Sequence, residues 1–427
     1  MKIKLIIATC TIFVTLLSCK ESESKVDIPS PKKSAFIADT IKLSKEEYYD
    51  KVLGALVGSA IGDAMGASTE MWHRNEIQLK YGYINGLTAA TREQSPEGTW
   101  DHNLLAGATT DDTRWKYFMV NYFSSNKVKL SPEQFSKFIT DYYASLTKEL
   151  GGDAIAKNPD LLDNQIEKVD WIKEWARVAL AYQNNGKAYQ KALNRFYGGE
   201  MSCAGQLYTP MFGLIANNPE EAYSTAYEHS IFDIGYAKDI SGLVAAMTQT
   251  AMQTKNIDSI LNTAIFVDPL GYKSSRLVMR ISQNVLDAAR RTVLVSRNLS
   301  LEKDSLVTAV PKGYTHTEQD WLQQDYLYTY LDNDKKAIAF HAGEIWQITV
   351  TAIAFGQGDF EKTMQFIVNY GRDNDTVAAV AGMILGAKDG YSNLPTPLKT
   401  TILKVSKENM GIDLEAMAHE MTTSFYQ

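Results

Sequence analysis

Apolar positions recur at steps of three and four through most of the chain, which predicts helices rather than strands. Ser44-Lys45-Glu46-Glu47 opens the first helix, with Ser44 placed to cap it and Glu47 at the capping-box position. This helix carries Gly54, Gly58, Gly62 and, if it continues, Gly66, a repeated spacing of four. Each glycine costs roughly 1 kcal/mol relative to alanine in a helix interior. Four on one face therefore predict the close approach of another backbone. Trp115, Phe118, Met119, Tyr122 and Phe123 mark a further helix. The same reasoning predicts helices at 131–150, 169–184, 187–196, 219–229, 236–255, 257–266, 275–296, 335–356 and 359–370. The part from Gly82 to Gly107 reads as loop-rich, and strand-like alternation is scarce. The expected class is all-α.

Polar groups interrupt this pattern in two places that echo each other. Gly371-Arg372-Asp373-Asn374-Asp375-Thr376 runs into an apolar segment, 377–387, with Gly382 and Gly386 four apart. Thr110-Asp111-Asp112-Thr113 leads into the helix marked by Trp115. Carboxylates at a helix start are favoured by the dipole and by unpaired backbone N–H groups. Capping needs one such residue, so two acids with a threonine, found twice, point to a hard cation. The first helix ends towards two more acids, Asp63 and Glu70, behind its glycine stripe.

Composition narrows the partners. A net charge of −7, with no block of Lys or Arg after the N-terminal segment, argues against nucleic acid. The three cysteines are Cys10, Cys19 and Cys203. Residues 1–18 read as a processing signal, with basic Lys2 and Lys4 before an apolar run too short to span a bilayer. Leu16-Leu17-Ser18-Cys19 resembles a bacterial lipobox, with Cys19 the lipidated residue. An exported protein anchored by lipid to the cell envelope, at the outer membrane or cell surface, is the expectation. Residues 19–43, rich in Ser, Lys, Glu and Pro, read as a flexible tether. Residues 44–427 contain no Gly/Pro/Ser-rich linker and are expected to form one domain. Cys203 has no partner left for a disulfide, and cysteine-rich zinc sites are excluded.

Asp111, Asp112, Asp373, Asp375, Thr110 and Thr376 offer only oxygen, which suits Mg²⁺, Mn²⁺ or Ca²⁺. An EF-hand starting at Asp373 fails, because Ala378 stands where glycine is needed and Ile384 where glutamate is needed. Two divalent ions bridged by these acids would polarise a substrate oxygen and acidify a water. Paired carboxylates acting without metal, as in ordinary glycosidases, are the alternative, though the clustering fits a metal better. The sequence holds no Gly-x-Ser-x-Gly, P-loop or His-Glu-x-x-His, and its six histidines show no ligand spacing. His316 is a minor candidate for the pocket.

Three blocks in this order resemble the ADP-ribosylglycohydrolase family: 54–70, with Gly62-Asp63-Ala64-Met65-Gly66 and Glu70; Thr110-Asp111-Asp112-Thr113; and 371–387. They bracket most of the chain. The resemblance implies a compact orthogonal multi-helix bundle with two magnesium ions in a cleft, manganese being the other option. It carries over Thr110, Asp111, Asp112, Asp373, Asp375 and Thr376 as metal ligands. It gives Glu70 and Asp112 catalytic roles, Glu70 in substrate access or acid/base work and Asp112 in activating water. The implied reaction is hydrolysis at the ribose C1 of an ADP-ribosyl or related ribosyl substrate, free or protein-linked. The middle segment, Gly198 to Gln206, lacks the Met-Arg pair of better-known members and puts the substrate in question. It is either a cleft wall, with Cys203 and Tyr208 nearby, or a plain turn between helices. The other functional readings are a nucleoside or glycosyl hydrolase using the same metals, and a non-catalytic nucleotide-binding surface protein.

Overall fold

Two helices form the centre of the molecule, Lys45–Gly66 and Asn374–Asp389, packed antiparallel along their glycine faces. A Cβ on Gly54 would fall 2.5 Å from the Gly386 carbonyl oxygen, and one on Gly58 would collide with the Gly382 carbonyl. Gly62 meets the Ala378 carbonyl, and Gly66 meets the backbone of Asp375. Gly382 and Gly386 press back on the carbonyls of Gly58 and Gly54. The stripe seen in the sequence is thus a backbone-to-backbone seam. Every residue from Val52 to Gly66 and from Asn374 to Lys388 is buried. Helices apolar on all sides belong inside a large core.

The structure is a computed structural model describing residues 40–91, 103–125, 130–149, 160–306 and 308–426. The signal-like segment, Cys19 and most of the tether lie outside the described residues. Among the described residues there are seventeen α-helices, and the two-residue strands Ala90–Thr91 and Asn103–Leu104 pair antiparallel. The fold is all-α, as expected. Around the central pair lie helices Asp111–Ser125, Ala237–Gln253, Ala342–Gly356 and Phe360–Tyr370, with helix Leu414–Phe425 on the outer side of the first. One apolar cluster runs continuously from Tyr48 to Met421.

The first helix begins as its sequence requires. Glu47 N–H donates to Ser44 Oγ at 3.2 Å, and Ser44 N–H donates to Glu47 Oε2 at 2.9 Å. Elsewhere several boundaries move. The helix expected at 275–296 starts at Ile281. Buried Arg280 pins the preceding chain by pairing with Asp239 (2.7 Å) and donating to the Val267 carbonyl (2.6 Å). The helix expected from 335 starts at Ala342, capped by the His341 ring accepting from Gly343 N–H. Helices Arg74–Tyr81, Glu318–Asp334, Thr396–Glu408 and Leu414–Phe425 are additional to those predicted. The first two dock through charge, with Arg74 reaching both Asp325 (3.1 Å) and Asp332 (2.8 Å).

The seam generates a direct prediction. Gly62→Ala places a methyl against the Ala378 carbonyl, where neither backbone can yield without shifting a helix. Denaturant unfolding is expected to show a loss of about 3 kcal/mol, the scale of a forced core overpacking. Gly186→Ala, with nothing near its Cβ, should be neutral or slightly stabilising. Equal stability of the two variants would contradict the seam.

Candidate metal centre

Where the seam ends, the chain turns outward on both sides. The first helix stops at Gly66, and residues 67–70 turn to present Glu70. Opposite, Gly371 and Arg372 take left-handed backbone, with φ of 84° and 65°. A side chain at Gly371 would strike the Trp72 carbonyl. The two turns are stitched together, Met71 N–H donating to Arg372 O (2.7 Å) and Arg372 N–H to Trp72 O (2.8 Å). Asn374 adds a side-chain tie, donating to Thr69 Oγ1 at 2.8 Å. Left-handed backbone at an arginine is strained. Its guanidinium is clamped by Glu344 at 2.5 and 3.0 Å and donates to Lys336 O at 2.8 Å.

Asp373 sits at the N-cap position of helix Asn374–Asp389, yet its side chain makes no capping hydrogen bond. Capping therefore does not explain this acid. Glu70, Asp373 and Asp375 each bring an oxygen within 4.8 Å of the others. Three carboxylates gathered so closely repel one another without a cation. Burial and the nearby Asp112 push the Asp373 carboxyl up to about 7. The donor set is oxygen only, buried at Asp373 and Asp375, and fits a hard divalent ion.

The second acid cluster is placed by Asp63. Its fully buried carboxylate accepts from Thr110 N–H (2.8 Å), Thr113 N–H (3.0 Å) and Thr113 Oγ1 (2.6 Å). It thus satisfies the N-terminal donors of helix Asp111–Ser125 from a neighbouring helix. Burial and the charges of Asp112 and Asp375 push Asp63 up to about 7. Asp111 faces the cleft, whereas Asp112 points inward, pairing with Lys116 Nζ at 3.0 Å. Thr376 Oγ1 donates to Asp112 Oδ2 at 3.0 Å, and Asp112 N–H faces Thr110 Oγ1 at 3.4 Å. The two clusters thus meet at a Thr376–Asp112 bridge.

These residues floor a cleft of about 950 Å³. Glu70, Asp111, Asp373, Asp375 and Thr376 line it together with the apolar groups of Trp175, Phe196, Tyr197, Leu207 and Phe340. Trp72, just after Glu70, and Glu76 and Lys80, on helix Arg74–Tyr81, also line the cleft, with Lys80 Nζ 4.7 Å from the Trp72 ring centroid. The Gly198–Gln206 segment does line the cleft, through Ser202, Cys203 and Ala204. Cys203 N–H donates to Phe340 O at 2.9 Å, and Gly205 N–H donates to the buried Asp233 at 2.8 Å. Cys203 Sγ lies 3.6 Å from Asp373 Oδ2, and burial pushes its thiol pKa up. Tyr208 belongs to the core, donating to His229 O at 2.8 Å. His316 pairs with Gln365 at 3.1 Å and takes no part in the cleft.

Sequence reasoning reached both acid clusters and Glu70. It passed over Lys116, Glu344 and Asp233, and left Asp63 without a task. A lysine four residues after Asp112, inside the stripe of Trp115, Phe118 and Met119, was the available signal for the first. Glu344 and Asp233 act on partners 28 residues away, which no local spacing shows.

A sequence profile described as ADP-ribosylglycohydrolase matches residues 44–427. An uncharacterized protein of Escherichia coli (strain K12), YegU, is 19% identical over 375 residues, covering 86% of this chain and 96% of that protein. The ADP-ribosyl-[dinitrogen reductase] glycohydrolase of Rhodospirillum rubrum is 38% identical over 65 residues, which are 15% of this chain and 19% of that enzyme. The solved structure of an ADP-ribosylglycohydrolase-related protein complex aligns with a TM-score of 0.50 at 19% identity, covering 89% of this chain and 99% of that one. This likeness supports the fold.

Asp63 is not among the residues lining the cleft, yet its hydrogen bonds to Thr110 and Thr113 fix the start of the helix that carries Asp111. Asp63→Asn removes an acceptor from its three-donor set. Calorimetric titration with Mn²⁺ is expected to show affinity weakened about 10- to 100-fold, the usual cost of losing a group that orients ligands. Unchanged affinity would contradict its positioning role.

Proposed function

This chain belongs to the ADP-ribosylglycohydrolase family, and from that premise we propose that it is a magnesium-dependent hydrolase acting at the ribose C1 of an ADP-ribosyl or related ribosyl substrate. The observation that carries this reading is the convergence of Glu70, Asp373 and Asp375 at the floor of an aromatic-walled cleft. Glu70, Asp373 and Asp375, with Thr376, Thr110, Asp111 and Asp112 beside them, are the groups to hold metal. Bound there, a divalent ion supplies a Lewis acid for ribose hydroxyls and a water of lowered pKa.

The chain's own groups then divide the work. The apolar lining of Trp175, Phe196 and Tyr197 suits a flat base or other apolar leaving portion. The acidic residues suit the sugar, because carboxylates near C1 stabilise the positive charge that builds there as the bond breaks. Both oxygens of Asp112 are engaged by Lys116 and Thr376, so we assign the handling of the attacking water to Glu70, which faces the cleft. Water adds to C1, and its proton leaves with the departing group.

One observation favours a second reading. Among the described residues that line the cleft, Lys80 is the only Lys or Arg. A diphosphate is commonly met by several such donors. A nucleoside or another uncharged ribosyl or glycosyl compound would ask less of this lining. The N-terminal motif supports a further proposal, that lipid at Cys19 holds the enzyme on an envelope membrane, where its substrates would be extracellular or periplasmic.

Two experiments test these proposals. The full chain is offered ADP-ribosyl-arginine, ADP-ribosyl-serine, O-acetyl-ADP-ribose and a nucleoside panel, with Mg²⁺ or EDTA. We expect turnover of at least one compound, abolished by EDTA and reduced about 10²- to 10³-fold or more in Asp375→Asn, the scale of one lost electrostatic group. Binding without turnover of any compound would favour a non-catalytic receptor. Turnover indifferent to EDTA and to Asp375→Asn would overturn the metal assignment. Cys19→Ser is expected to move the protein out of the membrane fraction, and its retention there would refute the anchor.

A further inference from the structure

The connection between helices Ile257–Phe266 and Ile281–Arg297 turns its apolar side chains outward. Leu277 is 94% exposed, Val278 59% and Met279 60%, and Leu270 and Ile281 are exposed on the same connection. Nowhere else among the described residues do three successive large apolar side chains stand in solvent. Leaving them there forgoes the free energy of burial.

The connection is held in this form by its base. Arg280, 1% exposed, pairs with Asp239 at 2.7 Å and donates to Val267 O at 2.6 Å. Asp268 accepts from the backbone N–H groups of Tyr272 and Lys273, both at 2.9 Å. Met279 takes left-handed backbone, with φ of 53°, a conformation that persists only where the surroundings impose it. A fixed base thus presents the apolar tip.

Charge and position indicate what the tip meets. Between Pro269 and Met279 the charged residues are Lys273 and Arg276, both basic, on a chain of net charge −7. Apolar side chains with basic neighbours and a half-buried tyrosine, Tyr272, suit the headgroup region of an anionic bilayer. The entry of the N-terminal segment lies within reach. Ile41 N–H donates to Asn217 O at 2.9 Å, just before helix Pro219–His229. Near the other end of that helix the hydroxyls of Tyr227 and Tyr272 stand 3.1 Å apart. Its 11 residues span about 16 Å. A chain of about twenty residues, the stretch between Cys19 and Ile41, spans about 25 Å at random-coil dimensions. Lipid at Cys19 and the tip at 277–279 can therefore reach one membrane surface together. A second copy of the chain fits less well, because a stable dimer asks for a broad face of about 800 Å² per partner rather than one loop.

We propose that the 270–281 connection is a membrane-docking loop. Leu277, Val278 and Met279 enter the lipid headgroup layer, and Lys273 and Arg276 meet anionic lipid phosphates. This rests on the Cys19 anchor proposed above and adds an orientation to it. A chain held by lipid alone tumbles on its tether, whereas a second contact fixes which face of the protein meets the bilayer.

The test reads immersion of the tip directly. The full chain carrying Leu277→Cys is labelled with a nitrobenzoxadiazole fluorophore, and wild type labelled in parallel gives the background from its own cysteines. The protein is bound to vesicles of phosphatidylethanolamine and phosphatidylglycerol whose acyl chains bear nitroxides. Loss of emission by quenching is expected at position 277 and not in Leu105→Cys. Leu105 is exposed near Gly107, which packs on helix Thr396–Glu408, and that helix packs on helix Lys45–Gly66. Emission at 277 unchanged by nitroxide lipid would overturn the proposal, as would equal quenching at both positions. A blue shift that grows with protein concentration in the absence of vesicles would assign the tip to a second copy and overturn it too. Mass spectrometry of Cys19 separates this proposal from the anchor. An unmodified Cys19 refutes the anchor alone, and quenching at 277 then still supports the docking loop.

Discussion

Backbone contact between helices Lys45–Gly66 and Asn374–Asp389 is the constraint from which the rest of the molecule follows. Helix axes ordinarily stay 8–10 Å apart because side chains stand between them. Here Gly54, Gly58 and Gly62 face Gly386, Gly382 and Ala378, with no room for a Cβ at the glycines. The glycines weaken each helix taken alone, and the seam returns dispersion contact and burial along its length. Its register also does something that looser packing would not. It brings Gly66 against Asp375, so the turns leaving the two helices emerge side by side with their acids facing one cleft.

Holding carboxylates together works against stability, and the structure shows where the opposing support lies. Arg372 is kept in left-handed backbone by Glu344 and by two hydrogen bonds to the turn after Glu70. Asp63 spends its charge on the donors of Thr110 and Thr113 instead of on solvent. Lys116 answers Asp112 from inside the core. Groups remote from the cleft therefore fix the geometry of those that line it, which is how a preorganised site is built. Strain and like charge persist here because the surrounding core overdetermines them.

Much of this was legible in the chain. A four-residue glycine period told of a close helix partner, Ser44 and Glu47 marked the start of its helix, and the repeated acid–threonine pattern located both halves of the site. What the pattern hid was long-range. Helix Glu318–Asp334 was missed because buried Gln324 and Asp325 break its apolar stripe, and Asp325 is stabilised by Arg74, 251 residues earlier. The start of helix Ile281–Arg297 depends on Arg280 meeting Asp239 across the fold. Two acid clusters read as equivalent in sequence, and only the position of Lys116 relative to Asp112 separates them. Periodicity assigns a face to each residue and is silent on which distant residue that face will meet.

The central claim is that the helix seam places a divalent-cation site between Glu70, Asp373 and Asp375. Crystals grown with Mn²⁺ and measured at its absorption edge test this most directly. The account predicts an anomalous peak within coordination distance of oxygens from those three side chains, at the floor of the cleft. A cleft without such a peak at saturating Mn²⁺, or an ion bound elsewhere, would contradict it.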